Sequence, residues 1–227
     1  MQNQTLIIIP VFNEEKSIGR VIDDLIENYK KADILVVNDG STDKTQEILQ
    51  SKRVNFVMHI FNMGIGASFE TGCQYALTHG YKYIVRMDGD GQHSFNFIDD
   101  ILKPVQEDKA DITMGSRFLG NSEFKTSATR LIGIYIIAFF LTLLTKRKIT
   151  DPTSGFCAMN KRAFQFFSEN CAEDYPEPEI LVYHKEFRIK EIPISITRRY
   201  GGISSITPLR SIYYMIKVFI SLVVKIF

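Results

Sequence analysis

Cysteine is scarce in this chain: Cys73, Cys157 and Cys171 are three in 227 residues, odd in number and far apart. That spacing excludes a disulfide framework and a thiolate zinc site and leaves reduced thiols as the expectation. Long apolar runs are also wanting. The uncharged stretch Leu131–Thr145 has 15 residues, about 22 Å as a helix at roughly 1.5 Å per residue, against about 30 Å for a bilayer core. Before Pro10 there is no basic segment followed by a long apolar one, so no secretory leader is expected. No Gly-x-x-x-x-Gly-Lys-Ser/Thr loop occurs, which disfavours P-loop phosphoryl transfer, and no Gly-x-Gly-x-x-Gly follows the first apolar run, which removes the main support for NAD chemistry. A Gly-x-Ser-x-Gly hydrolase elbow is missing too. Neither repeats nor a low-complexity linker interrupt the chain, so one domain over residues 1–205 is expected, followed by a helix over 206–227.

Acidic residues are missing from two segments. Residues 124–150 carry Lys125, Arg130, Lys146, Arg147 and Lys148, and residues 192–227 carry Arg198, Arg199, Arg210, Lys217 and Lys225, with no acid in either. These hold 10 of the 27 basic residues and none of the 26 acidic ones, so a net charge of +1 conceals an acidic body and a basic C-terminal third. Basic residues interleaved with Ile, Leu, Phe and Tyr point to an anionic membrane surface rather than to nucleic acid. Arg210, Tyr214, Lys217, Ser221 and Lys225 recur at helical spacing, which predicts an amphipathic helix lying on lipid. A partner protein's apolar groove would suit the same pattern. The segment from about 128 to 146 reads either as a buried helix or as an apolar helix at the membrane interface.

What the chain does have is a β/α rhythm. Leu6–Ile9, Ile34–Val37, Val54–Ile60, Tyr83–Met87 and Ile112–Gly115 are β-rich runs, separated by helical patterns over Ser17–Tyr29, Thr42–Gln50, Ile65–His79 and Phe95–Gln106. With 45% hydrophobic and 23% charged residues, this predicts an α/β fold: a mostly parallel sheet sandwiched by helices. Ligands of such sheets sit beyond the carboxyl ends of the strands. There the chain places Pro10–Glu15, Asn38–Asp43, Asn62–Gly66 and Asp88–Gln92. Each has a plain structural use: Asp39-Gly-Ser-Thr can be a turn with Ser41 capping the next helix, and the glycines of Asn62–Gly66 can serve a turn.

In Tyr83-Ile-Val-Arg-Met-Asp-Gly-Asp-Gly-Gln-His93 two carboxylates stand one residue apart. In an extended segment Asp88 and Asp90 share a side, with Gln92 next in the row, so they can converge on a hard cation such as Mg2+ or Mn2+ beside a diphosphate. An acidic turn is the simple alternative.

Jointly the motifs resemble those of family 2 glycosyltransferases of the GT-A (Rossmann-like) fold, in the group of dolichol-phosphate mannosyltransferase and small bacterial polyprenyl-phosphate relatives. The carrying segments are 9–15, 37–43, 62–66, 87–93, Gly115-Ser-Arg117 and Asp151-Pro-Thr-Ser-Gly-Phe156. The resemblance implies that Pro10, Phe12, Glu14 and Asp39 hold the nucleobase and ribose, with Met63 and Gly64 closing on the nucleoside. It implies metal and diphosphate ligands at Asp88, Asp90 and Gln92, acceptor-phosphate contacts at Arg117 and Arg130, and an arginine closing over the site at Arg199. The implied activity is inverting transfer of a sugar from a nucleotide sugar, UDP-glucose or UDP-N-acetylglucosamine before GDP-mannose, to a polyprenyl phosphate for cell-wall or polysaccharide assembly. A peripheral enzyme on the cytoplasmic face of a membrane, with a small membrane-spanning subunit as partner, follows from the same likeness. Glu173, Asp174, Glu177 and Glu179 could instead supply a base for a glycan hydroxyl acceptor, and a non-catalytic nucleotide-binding module of a membrane complex is the other alternative. Cys157 stands where relatives often carry arginine and is given no role.

Overall fold

The structure is a computed structural model that describes residues 3–119, 127–170, 176–197 and 199–201. The expected C-terminal helix over 206–227, Arg198, and Glu173 and Asp174 lie outside the described residues. Seven strands form one sheet: β1 (Thr5–Val11), β2 (Asp33–Asn38), β3 (Asn55–Met58), β4 (Tyr83–Arg86), β5 (Ile112–Ser116), β6 (Cys157–Asn160) and β7 (Ile189–Pro193), in the order β3-β2-β1-β4-β6-β5-β7. All neighbours run parallel except β6, which is antiparallel to both β4 and β5. This is the mostly parallel α/β sheet predicted, and the order reverses between β1 and β4, the kind of switch point at whose carboxyl ends ligands of such sheets bind.

The central strands are buried on both faces, so they read as unbroken apolar runs. Alternate residues of β1 divide the core. Leu6 and Ile8 face α3 (Ile65–Thr78), α5 (Ala128–Thr145), α6 (Lys161–Phe167) and α7 (Pro176–Val182), packing with Phe69, Leu141, Phe164 and Ile180. Ile7 and Ile9 face α1 (Ile18–Asn28), α2 (Thr45–Ser51) and α4 (Ile98–Gln106), packing with Ile22, Leu49, Ile101 and Leu102. Each such side chain contributes roughly 1.5–3 kcal/mol of burial. Pro10 is tolerated inside β1 because pairing to β4 stops at Ile8, while pairing to β2 continues to Val11. Its missing N–H therefore falls where β1 has a neighbour on one side only.

At the opposite end of the sheet, Asp111 clamps the last three strands. It accepts from the Arg188 backbone N–H (2.9 Å), Arg188 Nε (3.1 Å) and Asn160 Nδ2 (2.8 Å). These bonds, with the Arg188 guanidinium foremost, hold its carboxyl down at about 2. Because the folded value lies below the unfolded value of about 3.9, the stabilisation is complete above that pH and is lost as pH falls toward 2. Discounted for the half-exposed Arg188, it is on the order of 1–2 kcal/mol. Asp111→Asn is therefore expected to lower stability at pH 7 by that amount in urea unfolding and to flatten the loss between pH 4 and pH 2. An unchanged acid limb would rule the clamp out.

Candidate active site

The loops after β1 and β2 are laced together at the crevice. The Asn13 N–H donates to Ser41 Oγ (2.9 Å), Glu14 N–H to Thr45 Oγ1 (2.9 Å) and Glu15 N–H to Asp43 Oδ2 (3.0 Å), while Asn13 Oδ1 accepts from the Thr42 N–H (2.8 Å). Ser41 therefore does not cap α2, as a turn-only use of this loop would require. That helix begins at Thr45, whose N–H is taken by Asp43 Oδ1 at 2.9 Å.

Asp39 is buried, and its carboxylate organises the next loop. Oδ1 accepts from the Met63 N–H (2.9 Å) and faces His59 Nδ1 (2.7 Å), while Oδ2 accepts from the Gly64 N–H (2.9 Å). His59 Nε2 in turn meets Thr71 Oγ1 of α3 at 2.9 Å. The three residues expected around a nucleoside, Asp39, Met63 and Gly64, are thus brought into direct contact, and Asp39 holds the other two. Phe12 and Met63 keep about half of their surface exposed at this mouth, as large apolar side chains that would stack on a base must.

The acidic turn follows β4, but not as an extended row. The strand ends at Arg86, and Asp90 Oδ1 accepts from the Gln92 N–H (2.9 Å), closing a turn that Gly91 completes at φ +80°. The sequence expectation of carboxylates aligned along a continuing strand is corrected here: the turn, not the pleat, presents them. A Cβ on Gly91 would lie 2.4 Å from the Tyr200 ring, and one on Gly155 would lie 2.7 Å from Asp88 Oδ1. Side chains are thereby excluded on both sides of the turn. The Asp88 N–H donates to His93 Nδ1 (3.1 Å), which puts the proton of neutral His93 on Nε2, 3.9 Å from Asp88 Oδ2. His93 also stacks on Phe156, with ring centroids 5.0 Å apart.

Arg199 lies across this turn. Its Nε and Nη2 meet Asp90 Oδ2 at 3.1 and 3.0 Å, and its Nη2 donates to Glu14 Oε1 at 3.2 Å. The Tyr200 N–H donates to the Asp90 carbonyl (3.1 Å) and the Thr197 N–H to that of Gln92 (3.0 Å), so the backbone is bonded to the turn on both sides of this arginine. Burial pushes the Glu14 carboxyl above the usual range. The Ser17 hydroxyl and Arg199 pull it down, and Asp90 and Asp88 push it up again. Glu14 and Asp90 are thus joined through Arg199, with Asp88 acting on Glu14 from farther off.

That donor set fits a divalent cation shared with a ligand. Among the described residues no group of three or more His, Cys, Asp or Glu forms a cage by itself. Mg2+ and Mn2+ sites of this kind use one or two carboxylates and complete their shell with phosphate and water. Asp88 and Asp90 could supply the carboxylates, and the Arg199 guanidinium already rests on Asp90.

The two arginines expected at an acceptor phosphate, Arg117 and Arg130, differ in their surroundings. Arg117 is buried and locked onto Asp151: its Nε and Nη2 donate to the two carboxylate oxygens at 2.6 Å each, its N–H to Oδ2 at 3.0 Å, and Nη2 also to Thr153 Oγ1 at 2.7 Å. Asp151 is itself held by Glu191, which takes its N–H at 2.8 Å and that of Thr150 at 2.9 Å, and whose carboxyl burial pushes up. Arg130 sits half-buried in the first turn of α5, behind the cap that Ser127 Oγ provides to its N–H at 3.3 Å. Glu177, one of the alternative bases, is ion-paired with the buried Arg86 of β4. Sequence patterns do not single out roles for His59, His93, Asp151, Glu191 or Arg86. The one signal available for Arg86 is a lone charge inside an apolar strand.

Beyond the site itself, the Glycosyl transferase family 2 family model matches residues 6–167. The chain is 30% identical over 210 residues to the UDP-N-acetylglucosamine–dolichyl-phosphate N-acetylglucosaminyltransferase of Methanococcus voltae, covering 83% of each. It is 26% identical over 216 residues to the polyprenol monophosphomannose synthase of Mycolicibacterium smegmatis, covering 90% of this chain and 81% of that one. Among solved structures, glucosyl-3-phosphoglycerate synthase from Mycobacterium tuberculosis in complex with Mn2+ and UDP-glucose superposes with a TM-score of 0.73 at 17% identity, over 98% of this chain and 78% of the other. At that identity the superposition shows the shared fold, while the sequence match spans the crevice loops described above. The chain is a glycosyltransferase and belongs to glycosyl transferase family 2.

Proposed function

We propose that the chain moves a sugar from a nucleotide sugar to a polyprenyl phosphate at a membrane surface, by one inverting displacement. The observation that carries this is the outer face of α5. Ile132, Tyr135, Ile136, Phe139 and Leu143 are 45–65% exposed, along one stripe. Arg130 stands at one end of the helix and the exposed Lys146, Arg147 and Lys148 follow the other. An apolar stripe with cations at its ends suits a bilayer interface, where apolar side chains enter the acyl boundary and the cations meet headgroups. No helix among the described residues is long and apolar enough to cross a membrane; attachment through this face, lying along the surface, is part of the proposal.

In the donor half, Asp39 holds the Met63–Gly64 loop on the nucleoside and Phe12 flanks the base. Asp88 and Asp90, with Gln92, would hold Mg2+ or Mn2+, which supplies charge neutralisation for the departing nucleoside diphosphate. In the acceptor half, Arg130 and Arg199 supply positive charge for the lipid phosphate, while Arg117, neutralised by Asp151, contributes shape. A phosphate acceptor is ionised near neutral pH and needs no base, which suits a site whose Glu177 is committed to Arg86. UDP-glucose and UDP-N-acetylglucosamine are the favoured donors, ahead of GDP-mannose. The small membrane-spanning partner, the cytoplasmic face, and the division into a 1–205 catalytic domain and a 206–227 membrane helix belong to the same proposal.

The test is incubation with radiolabelled UDP-glucose, UDP-N-acetylglucosamine and GDP-mannose, polyprenyl phosphate in anionic vesicles, and Mn2+ or Mg2+. One donor is expected to label the lipid phase with release of nucleoside diphosphate. Phe139→Asp with Leu143→Asp is expected to lower labelling in vesicles more than tenfold while leaving activity toward detergent-dispersed lipid within a few-fold. Label appearing only in a water-soluble glycan would overturn the lipid-phosphate acceptor.

A further inference from the structure

Arg86 ends β4, two residues before Asp88, and is completely buried. Its Nη2 donates to Glu177 of α7, and its guanidinium lies 5.3 Å from the Phe69 ring centroid. Nε and Nη1 have no hydrogen-bond partner. This is a poor way to gain stability. A buried ion pair is often matched or bettered by apolar side chains of the same volume, and two buried donors without acceptors add a further cost. An arrangement that disfavours the fold, next to a catalytic carboxylate, calls for a role in geometry.

The connections say which geometry. Through β4 the guanidinium is tied to the turn that carries Asp88 and Asp90, and through Glu177 to α7, which packs against α5, the helix whose other face carries the exposed stripe. The pair is a direct polar link between the donor end and the layer assigned to the acceptor. Opposite Arg86 in the β4–β6 register stands Cys157, in the core on the same sheet face as Ile84. Burial pushes its thiol up to about 12, so it has no thiolate chemistry to offer near neutral pH. An arginine at 157 would start from the neighbouring strand and lead into the same buried space beside Glu177.

We propose that Arg86 is a positioning residue for sugar transfer: bonded to Glu177, it sets the Asp88 turn against the α5–α7 layer, and position 157 is an equivalent seat for the same guanidinium. The acceptor half of this statement rests on the lipid-phosphate function proposed above; the Asp88 half does not. Three variants of the full chain test it: Arg86→Gln, Arg86→Met with Glu177→Leu, and Arg86→Gln with Cys157→Arg. Each is followed by thermal melting, by calorimetric binding of UDP and GDP in Mn2+, and by transfer to polyprenyl phosphate.

The apolar pair is expected to melt within a few degrees of the parent, yet to bind Mn2+–nucleotide about tenfold more weakly and to transfer sugar about 30-fold more slowly. Arg86→Gln should show the same two losses. Moving the arginine to 157 should recover both to within about fivefold, which a residue serving stability alone would not do. The proposal is overturned if the apolar pair, folded, binds and transfers within twofold of the parent, or if the transposed variant folds and recovers neither property. Should the apolar pair fail to fold, the transposed variant decides. If the parent chain binds nucleotide but labels no lipid, the lipid-phosphate function has failed, and the Arg86 series is still judged on binding.

Discussion

Replacing Asp90 by asparagine is expected to slow sugar transfer on the order of 10³-fold while leaving the protein folded. The substitution keeps what Asp90 does for the turn. An asparagine Oδ1 can still accept from the Gln92 N–H, now at 2.9 Å, and the backbone carbonyl still receives the Tyr200 N–H at 3.1 Å. What it removes is the negative charge that would hold a divalent cation beside the diphosphate, and a 10³-fold loss corresponds to about 4 kcal/mol of barrier. Turnover with each nucleotide sugar, beside a thermal melt, is the measurement; a folded Asp90→Asn protein within tenfold of the parent would remove Asp90 from the site. Arg199 supplies the companion experiment. Because its guanidinium rests on Asp90 and Glu14, Arg199→Gln should tighten Mn2+ binding without nucleotide by about tenfold while turnover falls about 100-fold. Opposite signs are expected because the arginine competes with a cation for Asp90 but assists once phosphate is present.

Much of the sheet and of the loops at its strand ends is legible in the order of residues alone. The strands from Leu6 and Ile34 are apolar on both faces, and such runs announce a covered parallel sheet; the strand from Ile112 is buried on both faces but carries Thr113 and Ser116. The loops after them are dense in Asp, Asn and Gly, residues that serve turns and ligands alike, so their position at strand ends decides between the two uses. The strands β6 and β7 carry no comparable signal. Cys157-Ala-Met-Asn160 has no β-branched residue, and Ile189–Pro193 includes two charged side chains and a proline. The antiparallel entry of β6 is a tertiary choice, fixed by its two neighbours. Arg199 is placed only by resemblance, since it meets Glu14 across 185 residues and Asp90 across 109. The outer stripe of α5 leaves two outcomes open in sequence, because a helix that is apolar all round carries no periodic mark of which side stays wet. Here Ile134, Ile137 and Leu141 are buried while Phe139 and Leu143 are not.

The second large effect concerns Arg117, where sequence resemblance and local packing pull in different directions. A phosphate receptor should offer net positive charge, yet Asp151, fully buried, takes both Nε and Nη2 of Arg117 at 2.6 Å and cancels that charge in place. Asp151→Asn would leave a guanidinium in the protein interior facing a neutral amide, and breaking a buried pair from one side costs about 3–5 kcal/mol. Out of a total stability of about 5–15 kcal/mol, that is enough to shift a urea midpoint by more than 1 M at a slope of about 1–3 kcal/mol per M. Arg117→Lys is expected to cost nearly as much, since an ammonium keeps the charge but cannot span both oxygens and Thr153 Oγ1 with a planar fork. The informative variant removes both charges: Arg117→Met with Asp151→Leu should regain a large part of the lost stability. If that variant, folded, still gives lipid-linked product at a tenth or more of the parent rate, the acceptor phosphate is met by Arg130 and Arg199. A loss of more than 100-fold would instead mean that Arg117, although paired, reaches the phosphate itself.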